Sequence, residues 1–260
     1  MTSSTSTINS YGYSPHPLST YLEWAEVLLA SEPPPSSPRK PIILSVTGST
    51  VSEVHTIISL IQAFRKAKPE YSDRIAIELN TSCPNIHGTG APKGYIMDTD
   101  STMLDILADF TEAVKQDPTL TVGLKLPPYI YRDQFVRVVE LVKTLGDAFS
   151  FFTCTNTLGN SLLFSEQVES NEESISGYAV PPAVGGIAGD AIHALTLGNV
   201  HTFKTLLEES GLDSRIKIIG VGGATSSEAV QRLRKAGASV VGCATLLGKE
   251  GVKAFEILSQ

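Results

Sequence analysis

The segment ELNTSCPN, residues 78–85, has the pattern of a buried strand that ends in hydrogen-bonding and reactive side chains. An apolar run at residues 75–77 precedes it, and a loop rich in glycine and proline follows. Asn80 and Asn85 each offer a donor and an acceptor to a planar polar ligand, and Cys83 can act as a base or a nucleophile. The alternative is structural, with a small buried cysteine between turn-forming asparagines.

Outward from this segment, strand and helix patterns alternate along the chain. Apolar runs of strand length lie at residues 42–46, 74–79, 120–126, 148–155, 216–220 and 239–243. Helical patterns lie at residues 18–30, 51–66, 101–115, 133–145, 197–209, 226–236 and 251–258. Nearly continuous apolar strands that alternate with helices indicate parallel strands covered on both faces.

Polar and glycine-rich residues follow the carboxyl ends of these strands, where α/β folds place their chemistry. The pairs Gly222-Gly223 and Ala244-Thr245 follow the last two strands, as expected for the phosphate site of a TIM barrel. No GxGxxG turn follows the first predicted strand, which argues against a dinucleotide-binding unit. We therefore predict an α/β fold of the TIM (β/α)8 type that is N-terminally incomplete, with about six of eight strands. An open six-stranded sheet is the alternative.

Length and composition indicate one domain, residues 1–260, with a sizeable apolar core. We expect residues 1–8 to be disordered and residues 31–40 to form a proline-rich linker. The net charge of −7 and the absence of a basic block argue against nucleic acid and anionic membranes as partners. No apolar run approaches the roughly 18 residues of a membrane span, and no targeting segment is evident.

The cysteines Cys83, Cys154 and Cys243 are widely separated. Their spacing gives neither a disulfide framework nor a zinc site, so we expect a reducing, cytoplasmic environment.

Successive strand ends bring further polar groups together. Lys125, Asn156 and Thr157 follow two strands, while Gly189 and the Gly222-Gly223 turn can present backbone N–H groups to a phosphate. A lysine in a barrel mouth is costly unless it meets a negative charge, and a reduced flavin, anionic near N1, is a suitable partner. A structural ion pair is the alternative role for this lysine.

Seven motifs occur in an order that resembles the dihydroorotate dehydrogenase family, in particular its soluble, fumarate-linked class. They are NSYG (9–12), NTSCPN (80–85), KLPPY (125–129), NTLGN (156–160), GGIAG (185–189), IIGVGG (218–223) and KEG (249–251). Cys83 favours this class, because its members use a cysteine base where the membrane-bound class has serine.

The resemblance implies an FMN cofactor across the barrel mouth and oxidation of dihydroorotate to orotate in pyrimidine (UMP) biosynthesis. It implies hydride loss from C6 to flavin N5, proton loss from C5 to Cys83, and a lid at residues 86–97. Fumarate as the electron acceptor and a homodimer are also implied.

The resemblance further assigns contacts to individual residues. Those assigned to the cofactor are Asn80, Lys125, Thr155, Gly189, Gly222, Gly223, Ala244 and Thr245. Those assigned to the substrate are Asn9, Tyr11, Gly12, Tyr13, Asn80, Asn85, Asn156 and Thr157. The chain departs from the family where Tyr11 and Tyr13 replace Met and Leu, Ala244 replaces Gly, and Thr157 replaces Ser. It also has no counterpart of the family's first two strands, which carry a lysine that contacts flavin and substrate.

Two other functions fit parts of the pattern. One is a non-catalytic homologue that retains only the interaction surfaces of the fold. The other is a related flavoenzyme of pyrimidine breakdown, dihydropyrimidine dehydrogenase, although that family has His where this chain has Asn85.

Overall fold

The computed structural model describes residues 4–31, 40–82, 101–169 and 177–260. Its strands are β1 Ser6–Asn9, β2 Ile42–Val46, β3 Ile75–Asn80, β4 Thr121–Leu126, β5 Phe149–Cys154, β6 Leu158–Leu162, β7 Val184–Gly189, β8 Lys217–Val221 and β9 Val240–Gly242. Its α-helices are α1 Leu18–Ala30, α2 Val51–Ala67, α3 Ser101–Gln116, α4 Arg132–Thr144, α5 His193–Glu209, α6 Ser227–Ala236, α7 Thr245–Glu250 and α8 Lys253–Leu258. Short 3₁₀ helices occupy Pro69–Arg74, Gly146–Ala148, Ser165–Gln167 and Asp190–Ile192.

The main sheet is parallel and follows the order β2-β3-β4-β5-β8-β9. Helices connect its successive strands, and the sheet curls into half of a barrel. The prediction of an incomplete TIM-type α/β barrel is therefore confirmed. Within the described ranges, β2 and β9 each pair with a single neighbour, so they form the two edges of the curled sheet.

The apolar core lies between this sheet and the helices that cover it. Side chains alternate between the two faces of each strand. The side chains of Ile77 and Leu124 face the helices and are fully buried. The helices contribute Ile61, Phe110 and Phe203, also fully buried. On the opposite, concave face a side chain at Gly123 would place its Cβ 2.3 Å from the ring of Phe151, so glycine is required there for packing.

A buried arginine fixes α2 to the turn before β4. Arg65, only 2% exposed, donates from Nη1 to Asp117 Oδ2 at 2.7 Å and from Nη2 to the carbonyl oxygen of Thr119 at 3.0 Å. The pKa of the Asp117 carboxyl is lowered, first by the hydrogen bond from the Thr119 hydroxyl, with smaller contributions from Gln62 and Arg65. The ionised carboxylate thus stabilises the connection between helix and sheet.

A second, antiparallel sheet has the order β1-β7-β6 and was not predicted. Residues 1–8 were expected to be disordered and no strand was predicted within residues 158–189, but both regions contribute strands. The pairing is non-local, since Asn9 lies opposite Gly186, and β7 is rich in glycine, which has low intrinsic strand propensity. Residues 1–3 lie outside the described ranges.

Glycines in β7 allow close approach of β1. At Gly185 an added Cβ would lie 2.4 Å from the carbonyl oxygen of Asn9. Beyond the strand, the Thr5 N–H donates to Asp190 Oδ2 at 2.7 Å. The N-terminal segment is therefore held against the end of β7 by backbone and side-chain contacts.

The helix predictions are confirmed in position but differ at some ends. Helix α5 begins at His193, four residues before the predicted start. The predicted helix at 251–258 corresponds to α8, which begins two residues later, at Lys253. Helix α7, directly before it, was not predicted, and the two helices are separated at Gly251, where φ is +58°. Of the predicted linker, residues 32–39 lie outside the described ranges. Among the helices that the structure describes, none combines the length and apolar character needed to cross a bilayer.

Candidate active site

A cleft opens at the carboxyl ends of β4, β5, β8 and β9, beside the end of β7. The predicted residues that line it are Lys125, Thr155, Asn156, Thr157, Gly189, Gly222, Gly223, Ala244 and Thr245. All but Gly189, which ends β7, come from the carboxyl ends of parallel strands. Ala188, Ile192, Val221, Ala224, Thr225, Cys243 and Leu246 complete the lining. These additional residues were not predicted, and each lies within three positions of a predicted residue, so proximity in sequence to the predicted strand ends was the available signal.

Two asparagines from different strand ends are hydrogen-bonded to each other at this cleft. Asn156 Nδ2 donates to Asn80 Oδ1 at 3.1 Å and to the carbonyl oxygen of Ser82. The Asn156 Oδ1 accepts from the Thr157 N–H at 2.9 Å, while Asn80 Oδ1 also accepts from the Ser82 N–H at 3.2 Å. These contacts fix the amide orientations, and they bring the predicted residue Asn80 against the cleft lining.

Lys125 supplies a positive charge to the cleft. It pairs with Asn80 in the register of β3 and β4, and among the described residues no carboxylate lies within ion-pair distance of its Nζ. The nearby carboxylate of Glu78 faces the same side of the sheet but accepts from Ser45 Oγ at 2.6 Å and from Thr153 Oγ1. Hydroxyl groups therefore satisfy Glu78, and Lys125 is placed to meet an anionic ligand.

The Gly222-Gly223 turn has a conformation that side chains would prevent. The φ angles are +147° at Gly222 and +68° at Gly223. An added Cβ would lie 2.0 Å from Thr196 Oγ1 at the first position and 2.5 Å from His193 Cβ at the second. The turn therefore packs directly on the first turn of α5, and its backbone N–H groups are available for an anion.

The opposite wall of the cleft comes from the ends of β7 and β9. Gly189 has φ of +78°, and a Cβ there would lie 2.2 Å from the carbonyl oxygen of Thr5. Ala244 and Thr245 follow β9, and Thr245 Oγ1 lies 3.0 Å from Thr7 Oγ1 of strand β1. The unpredicted strand β1 thus supports two of the predicted cofactor residues.

Some predicted substrate residues are not gathered at the cleft. Asn9 ends β1, and its Nδ2 donates to the carbonyl oxygen of Gly186 at 3.3 Å. Tyr11 and Tyr13 are 83% and 42% exposed, and Gly12 between them is exposed. None of these four residues is part of the described cleft lining. Among the described residues, this segment therefore lies outside the cleft lining, and its assigned substrate contacts stay predictions.

Cys83, Asn85 and the predicted lid at residues 86–97 lie outside the described ranges. Their assigned roles stay predictions from the sequence.

The two described thiols are poorly suited to act as a base. Cys154 is buried, and desolvation, with a smaller contribution from the Glu78 carboxylate, raises the pKa of its thiol far above the ordinary range. Cys243 lines the cleft, and burial also raises its pKa from the ordinary value of 9.0. Both thiols are therefore protonated at neutral pH, which leaves Cys83 as the cysteine to consider for this role.

Comparison with known proteins gives the same family as the motifs. The family model described as dihydroorotate dehydrogenase matches residues 1–260. A "probable dihydroorotate dehydrogenase A (fumarate)" of Streptococcus pneumoniae serotype 4 is 31% identical over 252 residues, covering 96% of this chain and 69% of the relative. A "putative dihydroorotate dehydrogenase A (fumarate)" of Streptococcus pyogenes serotype M5 is 33% identical over 252 residues, with the same shares covered. The chain therefore belongs to the dihydroorotate dehydrogenase family.

Proposed function

We propose that this protein oxidises dihydroorotate to orotate with FMN as its cofactor and fumarate as the final electron acceptor. The observation that carries the proposal is the position of Lys125, which lines one cleft with the Gly222-Gly223 turn and with Asn156. This cleft offers a cation, an anion-binding turn and planar amide groups to one elongated ligand. The names of the two relatives, both dihydroorotate dehydrogenase A (fumarate), support the reaction and the acceptor.

The described residues fit the two ends of FMN. Backbone groups at Gly189, Gly222 and Gly223, with Ala244 and Thr245, would hold the phosphate. Lys125 would lie by the isoalloxazine ring, where its charge favours the anionic reduced form, and Asn80 and Thr155 would contact the cofactor nearby. When bound, FMN supplies the acceptor for the hydride that leaves C6 of dihydroorotate.

The proposed substrate contacts come from amide and hydroxyl groups. Asn80, Asn156 and Thr157 would bind the pyrimidine edge and the carboxylate, and the hydrogen bond between the two asparagines holds their amides in place. Asn85, Asn9 and the backbone of Tyr11, Gly12 and Tyr13 would complete the contacts. Cys83 would take the proton from C5 as a base in contact with the substrate and shielded from water, beneath a lid at residues 86–97.

The resemblance also supports a single FMN-binding domain, a role in pyrimidine biosynthesis and a homodimer. The cytoplasmic location expected from the cysteine pattern stays a prediction.

A second candidate function is that of a non-catalytic homologue. The two open edges of the described sheet, at β2 and β9, favour it, because a complete barrel wall surrounds the flavin more fully than a half-barrel does. The retention of Lys125 and the asparagine cluster favours the enzyme.

Purification without added cofactor, followed by absorbance of the bound chromophore and assays with dihydroorotate and dihydrouracil, separates these functions. We expect bound flavin and oxidation of dihydroorotate with fumarate. A colourless protein that binds no added FMN would contradict the enzyme assignment, and a preference for dihydrouracil would indicate the pyrimidine-breakdown enzyme.

A further inference from the structure

His193 lies directly beneath the Gly222-Gly223 turn. It is the first residue of α5 and is half-buried. Its Nδ1 lies 2.9 Å from the carbonyl oxygen of Gly222. Because a carbonyl oxygen can only accept, Nδ1 must carry the hydrogen and donate.

Arg232 of helix α6 contacts the other nitrogen of the same ring. Its Nε donates to His193 Nε2 at 3.1 Å, so Nε2 accepts and carries no hydrogen. A single neutral tautomer, with hydrogen on Nδ1, satisfies both contacts. The ring is therefore held in one orientation between the glycine turn and α6.

The contact with the Gly222 carbonyl also fixes the next N–H group. The peptide bond is planar and trans, so the Gly222 C=O and the Gly223 N–H point in opposite directions. With its carbonyl held by His193, this peptide directs the Gly223 N–H away from the imidazole. Both glycines line the cleft, and an added Cβ at Gly223 would lie 2.5 Å from His193 Cβ, so the turn packs closely on this residue.

We infer that His193 is a positioning residue that orients the Gly223 N–H toward the phosphate of the bound cofactor. The inference rests on the proposed function, since it takes the FMN phosphate to bind at this turn. His193 acts through the peptide and not by touching the reacting atoms, and Arg232 acts one step further away by fixing the tautomer.

The test compares FMN with riboflavin, which lacks the phosphate, in two variants that differ in where they place an amide. The Asn amide in His193→Asn lies near the former Nδ1 and can still donate to Gly222, whereas the amide in His193→Gln extends toward the former Nε2. Dissociation constants for both flavins are measured by fluorescence quenching on apoprotein. His201→Gln, an exposed position on the same helix, is the matched control.

We expect His193→Gln to bind FMN about fivefold to tenfold more weakly, from the loss of one oriented hydrogen bond, with riboflavin affinity unchanged. We expect His193→Asn and His201→Gln to retain the affinity of the wild type for FMN. If the wild type prefers FMN and His193→Gln keeps that preference in full, the positioning role is wrong while the phosphate site stands. Equal wild-type affinities for FMN and riboflavin would overturn both the positioning role and the proposed phosphate site.

Discussion

Lys125 of β4 lies directly opposite Asn80 of β3, and the Asn80 amide oxygen accepts from Asn156 beyond the end of β5. Three neighbouring strand ends thus present a cation beside two amides that are hydrogen-bonded to each other. The register of the parallel strands β3 and β4 sets the pairing of Lys125 with Asn80, and the hydrogen bond from Asn156 adds the segment that follows β5. A planar ligand with an anionic edge fits this arrangement.

Replacing Lys125 tests whether its charge acts on the flavin. We expect Lys125→Ala to weaken FMN binding and lower the reduction potential, because the anionic reduced form loses a nearby cation. A loss of about 1.4 kcal/mol would shift a two-electron potential by about 30 mV. Spectroelectrochemical titration measures the shift, and Lys143→Ala, at an exposed position on α4, is the control. Normal FMN binding at an unshifted potential would show that Lys125 is structural.

Cys83 is the proposed base, and its removal should stop the reduction of the flavin by dihydroorotate without preventing FMN binding. We expect Cys83→Ala to bind FMN but show almost no flavin reduction by dihydroorotate in stopped-flow absorbance. We expect a trace of reduction in Cys83→Ser that increases with pH, because a hydroxyl is a weaker base than a thiolate. Reduction by dithionite should be normal in both variants. Wild-type rates with dihydroorotate in Cys83→Ala would refute the assignment.

Asp117 should stabilise the fold in a pH-dependent way. We expect Asp117→Asn to lower the free energy of unfolding at pH 7 by about 1.5–3 kcal/mol, because buried Arg65 loses a charged acceptor. The pKa of Asp117 is lowered in the folded state, so its stabilisation is present above the unfolded pKa and is lost as pH falls through the folded pKa. Urea unfolding should therefore show that the difference in free energy of unfolding between the wild type and Asp117→Asn decreases below pH 3.8, the ordinary pKa of this carboxyl.

The control for this measurement is Asp133→Asn. Asp133 forms an exposed i,i+4 pair with Arg137 at 3.5 Å, so its loss should cost at most about 0.5 kcal/mol. Equal effects of the two substitutions would contradict the role of the Arg65–Asp117 pair.

The edge strand β9 should promote self-association. Val240 is 53% exposed on this strand, and the outer edge has backbone groups without a strand partner among the described residues. We expect the protein to form oligomers at rising concentration in sedimentation velocity, and Val240→Lys to increase the monomer fraction. Val252→Lys, at a position that is 81% exposed and outside β9, should leave the distribution unchanged. A monomeric wild type at all concentrations would contradict this expectation.

The parallel sheet could be predicted because its signals are local. Each strand is a short apolar run, and the residue that follows the run, such as Asn156, shows which end of the strand carries polar chemistry. Parallel strands bring those ends to one edge, so Lys125, Asn156 and the Gly222-Gly223 turn could be assigned to one site from the sequence.

The remaining features depend on contacts between residues that are far apart in the sequence, which no local sequence pattern indicates. Strand β1 has the sequence STIN, and its partner β7 is largely glycine and alanine, so neither shows a clear strand pattern. The role of His193 depends on its contacts with Gly222 and Arg232, neither of which is a sequence neighbour. The backbone of Tyr11 was assigned to the substrate by resemblance, and this assignment stays a prediction, since Tyr11 is 83% exposed and lies outside the cleft lining.

The pairing of β1 with β7 determines the order in which parts of the protein can fold during synthesis. The hydrogen bond from Asn9 to Gly186 spans 177 residues, so the first strand leaves the ribosome long before its partner exists. At about 5–20 residues per second, this delay is roughly 10 to 35 s. The parallel strands β2 to β5 can assemble in that interval, whereas β1 and the cleft wall that it supports at Thr245 form only after β7 and β9 have been made. The end of the cleft at Thr245 is therefore among the last parts of the nascent protein to take its final form.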